Sequence, residues 1–350
     1  MSNESSLNEF KNLDIEPLIA DRPADPRDTS RLLVVNRKTG ELLDRHFYDL
    51  PDMLPPDTLL ILNNSRVWKA RLESRKLPGG GHCELLLTGH LSDDRIKWAA
   101  LCRKMRAGQE IQCDGGLKAK CLGMNENGAF VFEFEAPLTE DYLKQHGEVP
   151  LPQYILNARK RRGVSSPTDE DKYQTIYANP TGSIAAPTAG FHFTENVFKG
   201  LEQKGIKKAF VTLHIGWGTF KPVRAENPAD HIMMKEACQM PKELAEMISA
   251  HKAAGKPLAA VGTSSMRTME TFAIDDKNMG WGMKDASLFI YPGYHFKSAD
   301  IFITNLHVPE SAPLYMTSAF AGRKLLYKAY KHAVENKYRF YSYGDSMLIL

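Results

Sequence analysis

Hydrophobic and polar positions along the chain fall into two regimes. In the first, apolar runs stand with little polar alternation: RLLVV (31–35), TLLILN (58–63), KAFVTLHI (208–215), PLAAVGT (257–263), SLFIY (287–291) and ADIFITN (299–305). Such runs predict strands buried on both faces. They alternate with helix candidates near 195–204, 241–254, 264–273 and 316–336, which predicts an α/β arrangement. Pro241 fits a first helical turn, Gly255 a C′ position, and Thr194 an N-cap for ENVFKGLEQK.

The second regime lies between the early and late apolar runs. GHCELLLTGHL (81–91), IKWAALCR (96–103), GLKAKCLGM (116–124) and AFVFEFEA (129–136) are short, strand-like and punctuated by PGGG, LSDD, AG, DGG and NENG. In AFVFEFEA, Phe130, Phe132 and Phe134 alternate with smaller or acidic residues and are expected to line one strand face. Regular short strands with turn signals predict a small β-barrel. The fold expected is therefore a mixed α/β domain formed by both chain ends, 1–65 and 151–350, with a β-barrel inserted at 66–150.

Composition adds little to that picture. A chain of 350 residues suits two domains, and 43% hydrophobic with 25% charged residues is ordinary globular usage. The opening MSNESSLNEFKN has no apolar core of a signal peptide, and no run of 18 apolar residues occurs, so neither export nor a membrane span is expected. Cys83, Cys102, Cys113, Cys121 and Cys238 form no CxxC pair and read as reduced core thiols.

Charge changes the picture locally. The net charge is only +3, yet residues 66–125 carry twelve Lys and Arg against six Asp and Glu, and Arg159, Lys160, Arg161 and Arg162 stand together. Localised positive charge attracts a phosphate backbone through counterion release. Arg66, Arg71 and the four residues 159–162 are the candidate RNA contacts.

The candidate chemistry sits in loops that end the predicted strands, where ligands collect in open sheets. AAPTAGFHFT (185–194) reads as a rigid wall: Pro187 and Gly190 fix an irregular backbone, Phe191 and Phe193 anchor it, and His192 faces the ligand. LHIGWGTFKP (213–222) leaves a strand with His214, then sets Gly216 and Gly218 around Trp217, which permits close backbone approach beside a flat ring. VGTSSMRTME (261–270) is a strand, a hydroxyl-rich loop and a helix bearing Arg267, whose free N–H groups suit a carboxylate or phosphate. Each piece alone is bland, because a strand-end histidine is more often structural. Neither GxxxxGK[ST] nor a GxGxxG after a first strand is present.

AAPTAGFHFT, HIGWGTFKPV, VGTSSMRT, FIYPGYHFK, DIFITNLHVPES, SAFAGR and YRFYSYGDSMLIL, in this order, resemble the S-adenosylmethionine:tRNA ribosyltransferase-isomerase family of queuosine biosynthesis. The likeness extends to RLLVV, LILNNSRVWKARL, GEVPLPQYI and DKYQTIYA, so it covers nearly the whole chain. It implies a cytoplasmic transferase with no metal and no cofactor, S-adenosylmethionine being consumed as a substrate; a monomer is expected. It implies transfer and isomerisation of the ribosyl moiety onto the 7-aminomethyl-7-deazaguanine wobble base of a tRNA with a GUN anticodon. The products would be epoxyqueuosine-tRNA, adenine and methionine.

For that chemistry His192, His214 and Asp345 are the candidate catalytic residues. Around the substrate the candidates are Thr188, Gly190, Phe193, Gly216, Trp217, Gly218, Thr219, His231, Thr263, Ser264, Arg267, Tyr291, Tyr294, Asn305, His307 and Tyr343. The sulfonium acidifies the adjacent C5′ protons, so a base is needed, for which His214 and His192 are the candidates. Departing adenine asks for an acid, Asp345 or a second histidine, and Asp345 serves as one only if burial raises its pKa. Arg267 and the 262–265 turn suit the methionine carboxylate; Trp217, Tyr291 and Tyr294 suit adenine or the sulfonium. Three positions depart from the family pattern: Met234 where histidine is usual, Glu310 where lysine is common, and Trp217 where a smaller residue often stands. Two rival classes are an S-adenosylmethionine-dependent RNA methyltransferase, which would carry a glycine-rich first strand-turn, and a non-enzymatic RNA-binding protein, which would not need the His, Arg and Asp loops.

Overall fold

The computed structural model describes residues 7–164, 169–225 and 227–350. Two compact units make up the chain, one of Met1–Arg66 with Pro152–Leu350 and one of Val67–Leu151.

The larger unit is built on a nine-stranded mixed sheet in the order Gly282–Ala286, Glu236–Met240, Lys207–Leu213, Leu59–Asn63, Leu258–Val261, Ile301–Asn305, Ser346–Ile349, Arg31–Val35, Leu42–His46. The four strands from Lys207–Leu213 to Ile301–Asn305 run parallel, and Ser346–Ile349 returns antiparallel to them. Successive residues serve opposite faces: Leu33, Val35, Leu59, Ile61, Leu258 and Ala260 join one core, and Leu32, Val34, Leu60, Leu62, Ala259 and Val261 join the other. Burial on both faces is why these runs lack alternation; each fully buried Leu or Ile stabilises the fold by about 1.5–3 kcal/mol. The first core is covered by the helices Lys242–Ala253, Gly262–Phe272, Ala312–Ala321 and Arg323–Glu335, the second by Glu195–Gln203 and the segment around Phe47. Among the described residues no helix is long and apolar enough to cross a membrane.

Three elements differ from expectation. The apolar run 287–291 is not a strand; the strand is the preceding Gly282–Ala286. Ile290 is buried in the core, and Leu288 and Phe289 wall a cavity, which accounts for their hydrophobicity without sheet pairing. The expected helix 316–336 is two helices, Ala312–Ala321 and Arg323–Glu335, split at Gly322, whose φ of 84° a helix cannot continue. The hydroxyl-rich segment after Val261 is no loop: Gly262, at φ 83°, turns strand directly into helix, so Thr263 and Ser264 stand in the first helical turn. Thr194 caps its helix as expected, its Oγ1 accepting from the Val197 N–H at 3.3 Å, and Gly255 is left-handed just beyond its helix.

The smaller unit is a closed six-stranded antiparallel barrel, Arg71–Leu77, His82–His90, Lys97–Leu101, Phe130–Phe134, Lys118–Met124 and Glu110–Cys113, which pairs back to the first. Phe132 and Phe134 fill the interior, and Phe130, only half-buried, packs against the same core from the end of the strand, where the partner Lys118–Met124 is irregular at Leu122. Cys83, Cys113 and Cys121 are buried in the same core.

Candidate active site

At their carboxyl ends the parallel strands deliver His214, Gly262 and Asn305 to one edge of the sheet, and the antiparallel Ser346–Ile349 brings Asp345 to the same edge. His192 sits among them, nearly fully buried. Asn305 Nδ2 donates to its Nε2 at 3.1 Å, which leaves the Nδ1–H to donate to Ser30 Oγ at 2.7 Å. Asn305 Oδ1 in turn accepts from Thr188 Oγ1 at 3.1 Å. The ring stacks on Phe47 with centroids 5.0 Å apart. Burial pushes His192 down from 6.5 to about 4, with Asp345 opposing and Arg339 and Arg27 adding to the fall. Both ring nitrogens are thus engaged by the protein.

His214 is different. Its Nδ1 is buried without a hydrogen-bond partner, its ring lies against Gly182, and burial lowers its pKa. It immediately precedes Ile215, which lines a small cavity of ≈ 40 Å³ together with Thr263, Ser264, Arg267, Leu288, Phe289 and Met316. Arg267 is 7% exposed and ion-paired with the equally buried Glu236, whose Oε1 accepts from the Gly216 N–H at 2.6 Å. Burial brings the Arg267 guanidinium down to about 10, and its Nε has no hydrogen-bond partner. A guanidinium at a cavity wall beside the first turn of an eleven-residue helix suits an anion.

A larger groove of ≈ 520 Å³ shares Leu288 and Phe289 with that cavity and is lined also by His231, Glu270, Tyr291, Tyr294 and Lys297. His231 packs on Phe289 at 4.6 Å and Tyr291 on Phe289 at 5.7 Å, giving an aromatic wall, and burial lowers the His231 pKa. Tyr294 donates to Glu270 at 2.9 Å; the same carboxylate accepts from the backbone N–H groups of Lys297 and Ser298, fixing this side of the groove.

Several expected site residues are engaged within the protein. Phe193 is fully buried between Phe47 and Phe198 and lines neither cavity. Gly190 is required by packing, since a Cβ there would collide with the Tyr177 hydroxyl and with Thr175 Cγ2. Gly218 lets Met234 approach, a Cβ falling 2.8 Å from its Sδ, and Trp217 carries Lys221 Nζ 4.0 Å over its ring. His307 bonds Thr304 Oγ1 at 2.7 Å and is pushed down to about 3 by burial. Asp345 accepts from the N–H groups of Arg31 and Arg339 at 3.0 and 2.8 Å and from both guanidiniums. Tyr343 donates to Asp169 at 2.9 Å, away from both cavities. The side chain of Thr219 lies outside the described residues.

The basic helix also needs correction. Arg159 is buried in a bidentate pair with Asp169 at 2.5 and 2.8 Å and cannot face RNA. Arg161 pairs with Glu16 at 2.5 Å, Arg162 with Asp21 at 3.2 Å, and Arg71 with Glu148 at 2.8 Å; Arg66 donates to the Ala178 carbonyl at 2.7 Å. Only Lys160 of the run is exposed with no ion-pair partner among the described residues.

Glu236 and Ser30 were not legible as site residues. The burial pattern of Glu236–Met240 turns Glu236, Cys238 and Met240 inward, and a glutamate on an inward face was the available signal. Among the described residues no group of three or more His, Cys, Asp or Glu is arranged to hold a metal ion.

A family model described as "Queuosine biosynthesis protein" matches residues 8–349. The crystal structure of an S-adenosylmethionine tRNA ribosyltransferase from Thermotoga maritima is similar over 97% of this chain and 98% of that one, at 32% sequence identity and a TM-score of 0.52.

Proposed function

Since the chain belongs to the queuosine biosynthesis family, we propose that it is the transferase that moves the ribosyl moiety of S-adenosylmethionine onto tRNA. The acceptor in this reading is the 7-aminomethyl-7-deazaguanine wobble base of a GUN-anticodon tRNA, the product is epoxyqueuosine, and adenine and methionine leave. The observation that carries it is the pairing of a small cavity walled by the buried Arg267 with an aromatic groove of ≈ 520 Å³ across Leu288 and Phe289. S-adenosylmethionine has matching parts: a carboxylate for Arg267 and the helix start, and a flat adenine for the wall of Phe289, Tyr291 and His231.

Roles follow from the state of each group. A base for the acidified C5′ proton must be neutral and have a nitrogen the protein does not engage; His214, next to the cavity-lining Ile215, meets both, its Nδ1 lying buried beside Gly182 without a hydrogen-bond partner. His192 is neutral too, but both its nitrogens are taken, so it positions Asn305 and Thr188. Asp345 holds Arg31 and Arg339 and orients the sheet edge. No metal or further cofactor enters this scheme.

Incubation with S-adenosylmethionine and precursor tRNA tests the reading. Free adenine and methionine support it; S-adenosylhomocysteine identifies a methyltransferase instead, and an unconsumed donor leaves only RNA binding.

A further inference from the structure

Between Val67 and Leu151 the barrel unit carries twelve Lys and Arg and twelve Asp and Glu, so it is neutral as a whole. Its charge is nonetheless unevenly spent. Arg71 faces Glu84 and Glu148 at 3.5 and 2.8 Å, Lys97 faces Glu133 at 3.4 Å, Arg95 faces Glu140 at 3.8 Å, and Lys144 faces Asp141 at 3.5 Å. Arg103, Lys104 and Arg106, on the loop joining Lys97–Leu101 to Glu110–Cys113, are all exposed, and none has an ion-pair partner among the described residues.

That loop is held in place. Met105, in the middle of the three cations, is buried in the barrel core. The Gly108 N–H donates to the Cys121 carbonyl at 2.7 Å, and the Gln109 side chain donates to the Leu77 carbonyl at 2.7 Å. Lys76 Nζ donates to the Lys104 carbonyl at 2.6 Å, which brings a fourth cation to the loop. The exposed Lys120 lies opposite Glu110 in the adjoining ladder, and Glu110 is the carboxylate at the loop's end. Anchored cations lose less conformational freedom on binding than cations on a free tail.

We propose that the loop 102–109 of the barrel is a docking surface for the phosphodiester backbone of RNA, with Arg103, Lys104 and Arg106 as its phosphate contacts. The inference rests on tRNA being the substrate, and it moves the expected contacts away from the 159–162 helix, where carboxylates already hold three of the four cations.

The test is fluorescence anisotropy with labelled tRNA over a salt series. The Arg103→Ala/Lys104→Ala/Arg106→Ala variant is expected to flatten the slope of log affinity against log salt by about 2–3, the loss of three phosphate contacts. KM for tRNA should rise while kcat at saturating tRNA is kept. Arg103→Lys/Arg106→Lys should retain the wild-type slope, and Lys104→Glu provides a single exposed change if the triple variant is unstable. A triple variant with wild-type slope and affinity overturns this surface alone. A wild-type protein that binds no tRNA overturns it together with the proposed function, and binding of polyglutamate in place of tRNA overturns it in favour of an acidic protein.

Discussion

At the scale of single residues, two histidines that read alike in the sequence have opposite surroundings. His192 stacks on Phe47 and bonds Ser30 and Asn305, whereas His214 keeps a buried nitrogen without a partner. Removing His192 leaves buried polar partners unsatisfied, so His192→Ala should destabilise the fold by about 1–3 kcal/mol. Removing the base should lower turnover by about 100-fold or more, so His214→Ala should do that with its melting temperature nearly unchanged. Single-turnover adenine release and thermal melting on both variants check this; a stable, inactive His192→Ala beside an active His214→Ala would exchange the roles. The same burial predicts a pH dependence. In the folded protein His192 titrates at about 4 against an ordinary 6.5. Between those values the unfolded chain takes up a proton that the folded one refuses, so stability falls as pH drops below about 6.5. The slope from this residue is at most about 1.4 kcal/mol per pH unit, and it is absent above that pH. Urea midpoints at neutral and mildly acidic pH should reveal a shallower acid loss in His192→Gln; an identical loss would contradict the assignment.

At the scale of elements, what was legible followed from burial period. The runs 31–35, 58–63 and 299–305 contain strands flanked on both sides in the sheet and covered on both faces, and Thr194 and Gly255 mark helix ends because capping chemistry is local. The run 287–291 misled because a cavity wall demands apolar residues as much as a sheet does. Glu236 was missed because its partners, Gly216 and Arg267, come from other elements, and sequence spacing carries no record of them. Arg159 misled for the same reason: its neighbours in sequence are cations, while its neighbour in space is Asp169. The segment 185–194 is an element of a third kind, a loop around the 3-10 turn Thr188–Gly190, and Gly190 makes it possible by letting Tyr177 and Thr175 close over the backbone. Gly190→Ala should therefore cost about 1–3 kcal/mol through overpacking, read as a drop in denaturation midpoint. An unchanged midpoint would mean that the contact relaxes freely.

At the scale of the whole molecule, the larger unit carries the buried Arg267 at a cavity wall, and the barrel unit is neutral in total with Arg103, Lys104 and Arg106 exposed and without ion-pair partners among the described residues. The chain belongs to the queuosine biosynthesis family, matched over residues 8–349, and the proposed reaction brings a small sulfonium donor to a polyanionic acceptor. The most direct test follows the ribose carbons. The protein is incubated with S-adenosylmethionine labelled with ¹³C in the ribose and with tRNA carrying 7-aminomethyl-7-deazaguanine, and the digested tRNA and the released small molecules are weighed by mass spectrometry. The proposed function predicts the labelled five-carbon unit on the wobble base, unlabelled adenine and methionine in solution, and no transfer to a guanine-bearing control tRNA. Labelled S-adenosylhomocysteine with no label in the tRNA would contradict it.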